Sequence, residues 1–212
     1  DRAIEIDPEF AEAYSVRAQV RQEEDAEGAL ADYNRAVSLE PLNPTFYRNR
    51  AALHYKEERT AEALKDVERS LELDPRFAQS YYLRGAIKER TDGEGAGLPD
   101  WELATTYEPG EAEILNARGL LRNTLGDAEG AIADYTAAIA ALVEKPIYHH
   151  NRGATFEARS EWLAALADLS AALEIDPDHE PTLARRAGVL LRLRRYRAAI
   201  SDYERAAGLL EE

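Results

Sequence analysis

Twelve charged residues recur in this sequence at a spacing that sets up the same chemistry six times. Arginines stand at Arg17, Arg50, Arg84, Arg118, Arg152 and Arg186, and aspartates at Asp32, Asp66, Asp100, Asp134, Asp168 and Asp202. Each aspartate follows its arginine by 15 or 16 residues. A planar guanidinium grips a carboxylate through two parallel hydrogen bonds, so such pairs either lock two segments in register or read an anionic ligand. A pair that satisfies itself has little left for a ligand, and a structural ion-pair ladder is the expected reading. The remaining constellations are poor in chemistry. His149 and His150 are adjacent, so their side chains diverge on a helix, and there is no cysteine to join them at a metal. Gly93, Gly95 and Gly97 have the spacing of a phosphate loop, but no strand precedes them and no Lys-Ser or Lys-Thr follows. No nucleophile is paired with a base. The expectation is a protein that is not an enzyme and uses no cofactor or metal.

The elements that position these residues follow from a repeat. An acidic residue followed by proline occurs at Asp7-Pro8, Glu40-Pro41, Asp74-Pro75, Glu108-Pro109 and Asp176-Pro177, giving intervals of 33, 34, 34 and 68 residues. The period is 34, with the missing member near Val143. Three columns hold only Ala, Gly or Ser. They are Ala18, Ala51, Gly85, Gly119, Gly153 and Ala187; Ala29, Ala63, Gly97, Ala131, Ala165 and Ala199; and Ala36, Ser70, Ala104, Ala138, Ala172 and Ala206. Large residues fill the columns beside them: Leu30, Leu64, Leu98, Ile132, Leu166 and Ile200, then Tyr33, Val67, Trp101, Tyr135, Leu169 and Tyr203. Tyr47, Ala51 and His54 share one helical face, and Leu64, Val67 and Leu71 share a face of the next helix, with a short polar turn between them. Small side chains let helix axes cross closely, and proline stops each second helix. Such a hairpin cannot bury its apolar face alone, so hairpins must stack. The third repeat departs from the pattern at residues 91–99, where Pro99 suits the first turn of a helix.

On these columns, the aromatics Tyr14, Tyr47 and Tyr81 and the terminal prolines, the whole chain resembles the tetratricopeptide repeat family. The resemblance implies an all-α fold, a right-handed superhelical solenoid of antiparallel helix pairs. It places repeats at about 11–43, 44–77, 78–111, 112–145, 146–179 and 180–212 of a single array, after the tail of a preceding repeat at 1–10. Residues 3–8 read as a helix end, so the sequence is expected to be part of a longer protein. An aromatic that the family often carries late in the first helix is replaced here by Arg21, His54, Lys88, Arg122, Phe156 and Leu190.

The resemblance further implies that the first helices line a concave groove holding a peptide or partner protein. Rotating away from the packed face gives peptide-binding candidates at Arg48, Asn49, Tyr55, Tyr82, Asn116, Asn123, His150, Asn151 and Arg185. The central stripe position is small at Ala52, Ala86, Ala154 and Gly188, which admits a partner's backbone. The clamp that related domains use for chaperone C-termini needs lysines, and Pro181 stands where one is expected beside Asn151 and Arg185. A formal charge of −15 opposes nucleic-acid binding, and no apolar run is long enough to span a membrane. The expected function is an interaction scaffold or adaptor. The alternatives are a self-assembling array pairing head to tail, its acidic start against an arginine-rich end, or the regulatory segment of an enzyme whose catalytic domain lies elsewhere. No targeting segment is visible, and the compartment stays open between cytoplasm and periplasm.

Overall fold

The computed structural model describes residues 1–210, and all its regular structure is helical. Two compact units follow one another along the chain, one from Asp1 to Glu108 and one from Pro109 onward. The first contains α1 (Arg2–Ile6), α2 (Ala11–Arg21), α3 (Ala26–Leu39), α4 (Pro44–Lys56), α5 (Thr60–Leu73), α6 (Ala78–Thr91) and α7 (Leu98–Tyr107). The second contains α8 (Ala112–Thr124), α9 (Ala128–Ala141), α10 (Pro146–Ala158), α11 (Trp162–Ile175), α12 (Glu180–Arg192) and α13 (Tyr196–Leu209). In each unit consecutive helices form antiparallel hairpins, and each second helix packs on the first helix of the next hairpin. No helix of the described residues is long and apolar enough to cross a membrane.

Local chemistry sets the helix ends. Asp25 and Asp127 accept from the backbone N–H groups of Gly28 and Gly130, capping α3 and α9. Prolines 44, 99, 146 and 181 occupy the first turns of α4, α7, α10 and α12, where a missing N–H costs nothing. In the first unit the Tyr14, Tyr47 and Tyr81 hydroxyls donate to the carbonyls of Pro8, Pro41 and Pro75, each at 3.2 Å. These tyrosines pin the start of each hairpin to the loop before it. In the second unit the corresponding positions are Leu115, His149 and Leu183.

Every residue of the three small columns is buried. The large residues pack against them: Tyr33 with Ala18, Val67 with Ala51, and Leu169 with Ala165. The apolar columns are not sealed throughout, because Ile200 and Tyr203 on α13 are 55% and 43% exposed. Val16 and Val20 on α2 are 58% and 78% exposed, so both ends of the described chain present apolar side chains to solvent.

The inter-helix turns carry a repeated strain. Glu58, Ser160 and Arg194 have φ of 59°, 61° and 59°, and Gly126 occupies the same turn position at 86°. The next N–H bonds back across five residues, as in Arg59 to the His54 carbonyl at 2.8 Å, so the left-handed residue closes the helix end. A side chain in that region costs about 1 kcal/mol, which glycine avoids. Glu58→Gly is therefore expected to raise the unfolding free energy by about 0.5–1 kcal/mol in urea titrations; no gain would show that the turn holds Glu58 without strain.

Candidate functional site

All six Arg–Asp pairs close as bidentate ion pairs between the two helices of a hairpin. In each, Nε and Nη2 of the arginine donate to the two carboxylate oxygens of the aspartate. The distances run from 2.6 and 2.7 Å for Arg50 and Asp66 to 3.1 and 2.6 Å for Arg84 and Asp100. Arg17 with Asp32, Arg118 with Asp134, Arg152 with Asp168 and Arg186 with Asp202 repeat the geometry. The aspartates are buried. At Asp32, burial pushes the carboxyl upward, but hydrogen bonds and charge from Arg17 and Arg21 outweigh it and hold the group below the usual carboxylate range.

Two features of the ladder were not visible in the spacing. The remaining Nη1 of several arginines reaches the second helix of the preceding hairpin: Arg50 to Asn34 at 2.8 Å, Arg152 to Thr136 at 2.8 Å and Arg186 to Ser170 at 3.4 Å. One guanidinium thus ties three helices, setting both hairpin register and hairpin stacking. The aspartates also take a second basic neighbour from the position where the family often carries an aromatic. Arg21, Lys88 and Arg122 approach Asp32, Asp100 and Asp134 at 3.0, 2.9 and 3.1 Å, and His54 lies 3.9 Å from Asp66. Where that position is Phe156, the ring packs into the apolar core, and His149 approaches Asp168 instead.

The peptide-binding candidates lie on first helices, and the structure brings some of them together. Asn49 is buried and donates to Ser15 Oγ at 3.3 Å, while its Oδ1 accepts from Arg48 at 3.1 Å. Asn151 donates to Asn116 at 2.8 Å, joining α10 to α8. Arg185 pairs with Glu157 at 2.7 Å. Tyr55 is already engaged: its hydroxyl donates to the Ala86 carbonyl, and the Arg90 guanidinium lies 3.9 Å from its ring centroid. The Tyr82 carbonyl accepts from the Trp101 indole at 2.9 Å. Asn123, at the end of α8, is exposed. Helical spacing puts Glu89 on the groove stripe of α6 but does not give its role. Its carboxylate accepts from the backbone N–H groups of Gly95 and Gly97 and ties the irregular third turn to α6.

His150 and His179 share the buried Thr182 hydroxyl, at 2.7 and 2.6 Å from their Nδ1 atoms, with ring centroids 5.6 Å apart. The hydroxyl has one proton, so it can donate to one of the two rings at most. Burial, helped by Arg185 and His179, pushes the His150 pKa down from 6.5 to about 4. The unfolded chain therefore takes up a proton near pH 6.5 that the folded chain refuses until about pH 4. The stabilising contribution is complete above pH 6.5 and is lost as pH falls towards 4. For a partly buried ring, solvent screening reduces this to about 1 kcal/mol by pH 5. His150→Asn is expected to lose less stability than the parent between pH 7 and pH 5, by that amount, in urea titrations. Equal losses would place the sensitivity elsewhere. Among the described residues no three His, Cys, Asp or Glu side chains are grouped to hold a metal ion.

Antiparallel hairpins crossing on buried small residues, with an Arg–Asp clasp in each, define a helical-repeat protein. Residues 20–77 match the tetratricopeptide repeat family. Family models for the TPR repeat and the tetratricopeptide repeat match residues 20–58 and 44–77. The crystal structure of YrrB, "a TPR protein with an unusual peptide-binding site", is 23% identical, aligns over 86% of this chain and 94% of its own, and has a TM-score of 0.62. Pseudomonas aeruginosa pilF is 14% identical over 91% and 88% of the two chains, with a TM-score of 0.81. A MamA fragment from Desulfovibrio magneticus RS-1 is 18% identical over 80% and 96%, with a TM-score of 0.64. At these identities the likeness is one of fold, an all-α helical solenoid.

Proposed function

We propose that the chain is a tetratricopeptide protein-interaction scaffold, in which the first helices of each unit hold an extended peptide. Tetratricopeptide proteins bind proteins or peptides, and their fold is generally that of a non-catalytic scaffold. The observation carrying the reading is the pair of small residues on the first helices of each unit, Ala52 and Ala86 in one and Ala154 and Gly188 in the other. These small residues stay half-buried on the first helices, flanked by polar side chains, while the ladder arginines and aspartates satisfy one another. At Gly188 an added Cβ would make ordinary van der Waals contact with the Tyr203 hydroxyl at 3.8 Å and Glu157 at 4.0 Å, without a clash. The YrrB peptide-binding site supports the same use of this fold.

Peptides selected by display against the whole chain test the reading. A variant with Ala52→Glu and Ala154→Glu, one substitution in each unit, is expected to weaken binding at least tenfold. The outward control, Ala31→Glu with Ala133→Glu on exposed positions, is expected to bind normally. Equal binding by both variants, at equal melting temperatures, would place the peptide elsewhere.

A second reading draws on the exposed apolar ends. Val16 and Val20 lie in an acidic stretch, while Ile200 and Tyr203 lie close in sequence to Arg192, Arg194, Arg195 and Arg197. Opposite charge around two apolar faces favours head-to-tail pairing of copies. Light scattering across concentration and salt tests it: mass that rises with concentration and falls with salt supports it, and a constant monomer mass rules it out.

A further inference from the structure

In the second unit two titratable rings meet on one hydroxyl. His150 belongs to α10, His179 stands just before α12, and both Nδ1 atoms reach the Thr182 hydroxyl on the first turn of α12, at 2.7 and 2.6 Å. Three heteroatoms joined by two hydrogen bonds hold two hydrogens between them. One ring donating its Nδ1–H to the hydroxyl, with the hydroxyl donating to the other Nδ1, meets that count. Once both Nδ1 atoms carry a proton, three hydrogens compete for two contacts, and the hydroxyl hydrogen must leave. Thr182 is 0% exposed, so that hydrogen has no water to turn to. The two charged rings would also lie with centroids 5.6 Å apart.

The surroundings do not offset the added charge. Arg185 of α12 and His179 are the charged neighbours acting on His150, and both oppose its protonation. The carboxylates nearby are engaged: Glu157 by Arg185 at 2.7 Å, Asp178 by Arg205 at 2.7 Å, and Asp168 of α11 by Arg152 at 2.7 Å, with His149 at 3.4 Å. Asp176 and Glu180 are the remaining acids within three residues of His179. From α8, Asn116 meets Asn151 as a neutral pair at 2.8 Å. From α9, Thr136 accepts from Arg152 at 2.8 Å, and Glu129 lies 3.6 Å from Arg159. Burial, then Arg185 and His179, push the His150 pKa from 6.5 down to about 4.

We propose that His150, Thr182 and His179 form a proton-operated latch that ties the first turn of α12 to α10 at neutral pH and releases it as pH falls from 7 towards 5. Closed, the cluster refuses a proton that an exposed His150 takes up near pH 6.5, so opening is disfavoured above that pH and favoured below it. The release is local. Further along α12, Val189 packs with Ala165 and Leu169, and Ala187 and Leu190 pack with Ala199, so the rest of the helix stays docked. Two amides report on the latch, because the Thr182 and Leu183 N–H groups both donate to the His179 carbonyl, at 3.0 and 3.1 Å. The latch stands whether or not a peptide lies on the first helices.

Native-state amide exchange on the full chain, between pH 7 and pH 5 and with or without low urea, tests the latch. After correction for intrinsic exchange, opening at Thr182 and Leu183 is expected to rise about fivefold from pH 7 to pH 5 and to ignore urea. Opening at Val189 is expected to rise with urea, as global unfolding does. His150→Asn flattens the pH response at the two reporting amides. Thr182→Val keeps the side-chain shape without the hydroxyl, and opens the turn at pH 7 as readily as the parent does at pH 5. Three results would overturn the latch: opening at Thr182 and Leu183 that does not change with pH, a pH response undiminished in His150→Asn, or a response that follows urea as Val189 does.

Discussion

Asp134→Ala is expected to destabilise the protein by about 3–5 kcal/mol, the cost of breaking a buried ion pair from one side. The Asp134 carboxylate is 4% exposed and accepts from Arg118 at 2.9 and 2.5 Å and from Arg122 at 3.1 Å. Alanine removes the group both arginines share and opens a polar void between α8 and α9. Asp178→Ala is the matched control. Asp178 pairs with Arg205 at 2.7 Å, but the side chains are 65% and 49% exposed, so its loss is expected to cost under about 0.5 kcal/mol. Urea unfolding of the two variants decides the matter, and equal midpoints would remove the ladder from any role in holding the hairpins.

The second large effect is expected at Gly97. A Cβ there would sit 2.4 Å from the Gly85 carbonyl oxygen and 2.9 Å from the Glu89 side chain. The obstacle includes backbone, so α6 and α7 must move apart, and Gly97→Ala is expected to lose about 2–3 kcal/mol. The contrast with Gly110 is direct: nothing lies within 4 Å of an added Cβ, and Gly110→Ala is expected to be neutral. At the position of Gly97 the other hairpins carry alanine, and only this hairpin pairs glycine with glycine, Gly85 against Gly97. A Gly97→Ala variant as stable as the parent would mean that α6 and α7 separate without loss.

Much of the fold was legible because a repeat writes its physics several times. The small columns, the helix-stopping prolines and the Arg–Asp spacing each pointed to hairpins, and the helices fall where these signals place them. Pro99 opens the first turn of α7 as its ring chemistry demands. What escaped were contacts between residues in no shared column. The reach of Arg50 to Asn34 depends on how one hairpin stacks on the last, which periodicity within a hairpin does not encode. The clasp of Glu89 on Gly95 and Gly97 depends on a loop that breaks the repeat. The groove candidates were the least legible. A solvent-facing stripe and a half-buried polar one have the same helical spacing, and only packing distinguishes the engaged Tyr55 from the exposed Asn123.

The most direct test is an amide chemical-shift map of the chain with a selected peptide. A peptide lying along the first helices shifts resonances around Gln19, Ala52, Ala86, Leu120, Ala154 or Gly188. Shifts centred instead on the outward positions Ala31, Lys65, Ala133 and Ala167 of the second helices, with the first helices silent, would contradict the account.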